Sequence, residues 1–266
     1  MKKLLLLAKL ILLFYFTIYA QKKEVMYLSG TDNENTVEWD FNCTGGRNSG
    51  FWTKIPVPSH WEQMGFGNYN YGRDYYTYGK GFKFADEKGI YRYEFKVPQS
   101  WKNKKIFIVF EGSMTDTEVK INGKTAGPIH QGAFYRFSYD ITQLLDFNNY
   151  NLLEVNVSKM SSNNSVNRAE RYADYWIFGG IYRPVYLEAY PQEHISHIAI
   201  DAKADGTFKA YITSQGLTGN RQLEIKIYKY PEFKLAKSGT FNLSSKDSVH
   251  IINLKVENPE LWTSET

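Results

Sequence analysis

A single cysteine, Cys43, stands in this 266-residue chain, so no internal disulfide can form. It lies too far from the N-terminus to be a lipid-anchored first residue. The five histidines, at 60, 130, 194, 197 and 250, have no cysteine or carboxylate cluster around them, which leaves no zinc site to expect. No other metal and no cofactor is expected. Beyond the first twenty residues no run approaches the roughly 18 apolar residues that a membrane span requires. Long helical periodicity is also missing. Charge is nearly balanced: the formal net charge of +4 falls to +1 once Lys2, Lys3 and Lys9 are removed with a leader. Neither nucleic acid nor an anionic membrane is therefore an expected partner.

The leader itself is legible. Lys2 and Lys3 form a short basic region, an apolar stretch follows, and Ala20 is a small residue suited to a cleavage site. Lys9 interrupts a run already too short to cross a bilayer, so residues 1–20 read as a secretory signal peptide. The expected location is periplasmic or secreted.

Aromatic residues dominate what remains. Tyr (21), Phe (17) and Trp (6) make up 17% of the chain, and such rings favour pleated, half-buried surfaces. Residues 90–97, 105–110, 118–121 and 223–228 alternate apolar with polar side chains, between turn signals at Pro98, Gly112, Asn122-Gly123 and Pro231. Asn122-Gly123 is the best hairpin signal, because both residues tolerate positive φ. The pattern predicts an all-β chain of sandwich type.

Residues 174–188, Asp-Tyr-Trp-Ile-Phe-Gly-Gly-Ile-Tyr-Arg-Pro-Val-Tyr-Leu-Glu, carry the most functional information. They read as an aromatic loop, a bend at Gly179-Gly180 and a strand over 181–188. Flat faces from Trp176, Phe178, Tyr182 and Tyr186 beside Asp174 and Arg183 suit a sugar, whose C–H faces stack on rings and whose hydroxyls need charged partners. The other reading is a buried turn of a sandwich whose rings are core.

That segment resembles the signature closing the N-terminal sugar-binding domain of glycoside hydrolase family 2, which includes β-galactosidases, β-glucuronidases and β-mannosidases. Residues 111–127, 134–142 and 151–157 resemble the family's hairpin and two of its strands. Residues 256–262, Val-Glu-Asn-Pro-Glu-Leu-Trp, resemble the phrase closing its second, immunoglobulin-like domain. The resemblance covers roughly residues 50–266. It implies a galactose-binding-like jelly-roll sandwich over residues 21–190 and an incomplete immunoglobulin-like β-sandwich over 191–266, with the boundary near Tyr190-Pro191. The second stretch falls short of the roughly 100 residues such a sandwich usually has, so the chain reads as part of a longer polypeptide with an open edge and an incompletely covered core.

Catalysis in that family uses two carboxyl groups on a (β/α)₈ barrel of about 250 residues, C-terminal to these sandwiches. Nothing here resembles the barrel, so no catalytic residue is expected in this chain and the missing barrel is an implied partner. Asp116 with Glu118 reads as a solvated pair beside the hairpin, and Glu170 with Asp174 as ion-paired to Arg168 and Arg171.

The resemblance implies a substrate-binding role for Asp174. In the galactosidases an aspartate there reaches into the barrel's pocket, touching the sugar and sometimes a monovalent cation. A local role capping its own loop or pairing with Arg171 stays open. Trp176 is a further substrate-binding candidate that reads equally as packing. Arg183 reads as an internal salt-bridge residue. Residues 65–76, with paired glycines, four tyrosines and Arg73-Asp74, resemble the loop that supplies a sugar-contacting asparagine; Asn70 is a candidate, and Arg73 an alternative occupant that would change the sugar preference. A glycine-rich Ω-type loop with packing tyrosines is the competing reading. His60, in Pro58-Ser59-His60-Trp61-Glu62, reads as structural. The expected function is the non-catalytic, pocket-shaping part of a β-galactosidase-like hydrolase, with a β-glycoside or glycan as partner. The alternatives are a stand-alone secreted carbohydrate-binding module and a purely structural sandwich.

Overall fold

The computed structural model describes residues 22–79 and 81–261. The signal peptide expected over residues 1–20 and Trp262 of the closing motif lie outside them. In chain order the strands are β1 (Glu24–Tyr27), β2 (Val37–Cys43), β3 (Thr53–Val57), β4 (Asn70–Tyr71), β5 (Lys88–Phe95), β6 (Lys105–Phe110), β7 (Asp116–Ile121), β8 (Lys124–Thr125), β9 (Phe137–Asp140) and β10 (Asn151–Ser158). They continue with β11 (Trp176–Ile177), β12 (Val185–Tyr190), β13 (His194–Ala202), β14 (Thr207–Gln215), β15 (Arg221–Lys229), β16 (Lys234–Leu243) and β17 (Val249–Lys255). Two short α-helices interrupt them, α1 (Asp74–Tyr78) and α2 (Asn164–Glu170). The chain is all-β, and its described residues divide into two compact units, 23–189 and 190–261.

The first unit is a sandwich of two sheets, ordered β1-β12-β6-β9 and β3-β2-β5-β10-β7-β8. Strand β10 shows how the pattern makes the sheet. Asn151, Leu153, Val155 and Val157 are buried while the residues between them are partly open, and its two edges pair antiparallel with β5 and β7. A central strand with one apolar side must bury that side, and here it meets Ile106, Ile108, Phe110, Val185 and Leu187 of the other sheet in one core. Trp39, Phe41, Trp61 and Tyr91 fill that core with rings in edge and tilted contact. The Asn122-Gly123 hairpin forms as expected: both residues take positive φ, 53° and 75°, which matches the twist of β7 and β8.

Several expectations change. The strand foreseen over 181–188 begins only at Val185. Pro184 has no N–H to offer a ladder, and the preceding backbone is satisfied locally: Ile181 accepts from Ser59 N, and Pro184 accepts from Glu111 N. Asp116 is not solvated. It is 7% exposed and accepts from Ser161 Oγ at 2.6 Å and from the Ser162 amide and hydroxyl at 2.8 Å each. A carboxylate so supplied with donors is a fastener between β7 and the chain entering α2, whose N-cap Asn163 accepts from Ser165 N. Its strand neighbour Glu118 is partly open, bonded by Asn156 at 2.9 Å and paired with Lys120 at 3.2 Å.

The second unit holds a three-stranded antiparallel sheet, β13-β14-β17, and the hairpin β15-β16. Ala210, Ile212 and Ile252 form its core with Phe208, Leu223, Ile225 and Phe241 packed against them. Register puts Ile198 opposite Ile212 and Ile200 opposite Ala210, on the core side of the sheet. Yet Ile198 is 51% and Ile200 62% exposed. The core-side face of β13 is therefore open. Among the described residues no helix is long and apolar enough to cross a membrane.

Candidate functional site

Two segments that the sequence singled out meet in a minimal ladder. Strand β4 pairs antiparallel with β11, Tyr71 facing Trp176 and Asn70 facing Ile177, and the Gly72 amide donates to Tyr175 O at 2.9 Å. The close approach at that crossing requires glycine: a Cβ on residue 72 would lie 2.3 Å from Ala173 O and 2.5 Å from Arg171 O. Within residues 65–76 the loop is pinned by the short strand Asn70–Tyr71 before it enters α1 at Asp74.

The ladder brings Asp174 to Tyr71 and Arg73. The Tyr71 hydroxyl donates to Asp174 Oδ1, and Arg73 Nε lies 3.4 Å from Asp174 Oδ2. Both charged side chains are about three-fifths exposed, 62% and 60%, so the pair is weak and open to exchange with a ligand's hydroxyls. Arg73 takes the place expected of Arg171 as the ion partner of Asp174. Arg171 is instead buried at 1% exposure, its Nη1 donating to Phe178 O at 3.1 Å, and burial pushes its pKa down to about 10. Glu170 likewise turns inward, accepting from Ala133 N at 2.7 Å. A cleft of about 730 Å³ opens at this point, lined by Arg73, Tyr76, Thr77, Tyr172, Ala173 and Asp174.

Trp176 adjoins the same carboxylate through Tyr71. Its ring stands edge-on to Tyr71 at 5.3 Å and to Tyr69 at 5.9 Å, and it remains 55% exposed, so it serves as a half-open ring rather than core. Asn70 faces inward. It is 7% exposed, its Nδ2 donates to Ala85 O at 3.0 Å, and its Oδ1 accepts from Ala85 N at 3.2 Å, so both ends of the amide clamp the neighbouring chain. Of the four candidates, the structure brings Asp174, Arg73 and Trp176 together at the surface and sets Asn70 beneath them. Arg183 pairs with no carboxylate among the described residues, contrary to the salt-bridge expectation; it is exposed, and its guanidinium lies over Tyr182 at 5.2 Å. His60 stacks on Tyr182 at 5.2 Å, and burial lowers its pKa.

Sequence reasoning missed the support below. Lys159, fully buried, meets Glu62 at 2.7 Å and Glu87 at 3.2 Å, and also donates to Asn68 O. Glu62 accepts from the Gly179 amide at 3.0 Å, and Glu87 from the Asn68 amide at 2.7 Å. One ammonium and two carboxylates thereby tie the chain before Tyr69 to the chain after Trp176. Burial pushes the Glu62 carboxyl up, with Lys159 pulling it back. Only a strand-end lysine following an otherwise alternating run hinted at such a group. Among the described residues no cluster of three His, Cys, Asp or Glu could hold a metal ion.

The family described as "Glycosyl hydrolases family 2, sugar binding domain" matches residues 49–191. The chain is 29% identical over 190 residues to a beta-galactosidase of Thermoanaerobacter pseudethanolicus, covering 68% of this chain and 25% of that protein. It is 30% identical over 223 residues to a beta-galactosidase of Clostridium acetobutylicum, covering 79% and 24%. Among solved structures, a calcium-binding mutant of Bacteroides uniformis beta-glucuronidase 2 superposes with a TM-score of 0.64 at 25% identity, covering 92% of this chain and 29% of the other. The chain spans about a quarter of the length of the curated relatives it matches. With the sandwich, the matched span and these relatives in agreement, the chain belongs to glycoside hydrolase family 2 and carries its sugar-binding domain.

Proposed function

We propose that this chain is the sugar-binding portion of a secreted β-galactosidase- or β-glucuronidase-like hydrolase, in which Asp174 positions a β-glycoside for carboxyl groups on a barrel elsewhere in a longer polypeptide. The observation that carries the reading is the exposed Asp174 carboxylate at the mouth of an open cleft, held by Tyr71 and Arg73 beside the half-open ring of Trp176. A carboxylate accepts from two vicinal hydroxyls at once, while an adjacent guanidinium donates to ring or hydroxyl oxygens. Asn70, with both ends of its amide on Ala85, supports the loop in this reading.

Membership of a longer polypeptide is favoured by the open core-side face of β13, which needs further structure to seal it. Export is favoured by the basic and apolar pattern of residues 1–20. A second reading, the stand-alone carbohydrate-binding module, draws support from the first unit, whose two sheets enclose a continuous core of their own.

The deciding experiment is kinetic. In the full-length polypeptide, Asp174→Ala should lower kcat/KM by about tenfold or more while the unfolding midpoint hardly moves, since positioning groups act on the barrier rather than on the fold. Unchanged kinetics would remove Asp174 from the site. An immunoblot of the source cells with antibody to residues 21–190 separates the two readings, by a product larger than 30.9 kDa by a barrel of about 250 residues or one near that mass.

A further inference from the structure

We infer that a second cleft, at Arg183, binds a carboxylate. It opens between the chain leaving β3 and the chain entering β12, has a volume of about 600 Å³, and shares no lining residue with the cleft at Asp174. His60, Gln63, Met64, Tyr182 and Arg183 line it, together with the loop around Asp32. That loop is set before any ligand arrives. Asp32 accepts from the Asn35 amide at 2.8 Å, from the Glu34 amide at 2.9 Å and from Asn35 Nδ2 at 3.1 Å. A Cβ on Gly30 would lie 1.6 Å from Asn35 O, so the loop closes tightly on itself. These bonds occupy the only carboxylate among the described lining residues.

Arg183 is equally well seated. Its guanidinium lies over the Tyr182 ring, whose hydroxyl donates to Ala133 O at 2.8 Å and whose face stacks on His60. Its stem passes Gly112, where a Cβ would come within 3.1 Å of Arg183 Cδ and 2.9 Å of the Tyr182 hydroxyl. A planar fork ordered in advance loses little freedom when a carboxylate takes two of its N–H groups. A second guanidinium stands behind it. Arg171 is buried, and its Nε and Nη2 have no hydrogen-bond partner among the described residues. Its charge bears on both Tyr182 and His60 of the cleft wall. The two carboxylates that bear on Arg171 are already engaged, Glu170 by Ala133 N and Glu62 by Lys159. Two guanidiniums without a paired carboxylate leave this concave surface positive, which draws an anion to it. A singly charged group matches the one guanidinium within reach. Met64, Pro58 and Pro184 offer apolar surface to the carbon chain that carries it.

The test is an NMR titration of the full chain at constant ionic strength, followed at the ring protons of His60. The probes are sodium propionate, the capped tripeptide Gly-Glu-Gly and inorganic phosphate, none of which is a sugar, so the result does not depend on the role of Asp174. Either carboxylate should give a saturable shift and raise the His60 pKa, because a negative charge near an imidazole favours its protonated form. Tighter binding of propionate assigns a small acid as the occupant, and tighter binding of the peptide assigns a protein segment; both support the site. Arg183→Gln, an exposed change that should leave the circular dichroism spectrum intact, should weaken carboxylate binding about tenfold. No saturable shift from either carboxylate, an affinity untouched by Arg183→Gln, or phosphate bound more tightly than both would overturn the inference.

Discussion

Replacing Lys159 with methionine tests how the candidate site is supported. The substitution keeps the volume and removes the charge. It leaves Glu62 and Glu87, at 1% and 6% exposure, without the ammonium that lies 2.7 and 3.2 Å away. Breaking a buried pair by removing one partner costs about 3–5 kcal/mol, because an uncompensated charge stays behind. At a urea slope of about 2 kcal/mol per molar, a loss of about 4 kcal/mol lowers the midpoint by about 2 M. The loss should depend on pH. Burial already raises the Glu62 carboxyl, and losing Lys159 removes the main charge that opposes it. A carboxyl raised in the folded state stabilises below its unfolded pKa of about 4.3, and that stability is lost as pH rises through the folded value. The difference between Lys159→Met and the parent should therefore be largest at pH 8 and smaller at pH 5. Adding Glu62→Gln should recover part of it, since the amide oxygen can still accept from Gly179 N. A midpoint shift under about 0.5 M, or the same loss at both pH values, would refute the argument.

Gly72→Ala should cost about 1–3 kcal/mol, because the clashing atoms are backbone carbonyls that cannot swing away; Trp176 emission should shift in the folded variant as β4 and β11 part. Leu153→Ala, at a fully buried position of the central strand, should destabilise by about 2–5 kcal/mol in the same urea assay. By contrast Ile198→Thr with Ile200→Thr should change stability by less than about 1 kcal/mol and reduce binding of a hydrophobic dye, because both side chains are already half open. A large loss of stability would mean that the face is sealed in solution.

Much of the sandwich was legible because strands report themselves locally. Alternation in residues 90–97 and 105–110 marks β5 and β6, and Asn122-Gly123 marks its turn, since a period of two and a positive φ are properties of adjacent residues. The candidate site was legible in its parts: the resemblance over residues 65–76 and 174–188 pointed to the two segments that β4 and β11 join. Partners were not legible. Asp174 pairs with Arg73, 101 positions away, rather than with Arg171 beside it in sequence, because the ladder at Tyr71 and Trp176 carries Arg73 across while Arg171 is drawn under Phe178. Asp116 read as solvated because nothing near it in sequence announces Ser161 and Ser162.

The sequence by itself determined the all-β class, the family, the main hairpin and the pair of segments that meet at the candidate site, all of which rest on local pattern and residue type. Only the tertiary structure decided which charge meets which, that Asn70 turns inward while Trp176 and Tyr76 stay bare, and that Lys159 lies beneath them between two glutamates. Burial and pairing over such separations follow from how the sheets pack, and no local pattern encodes them.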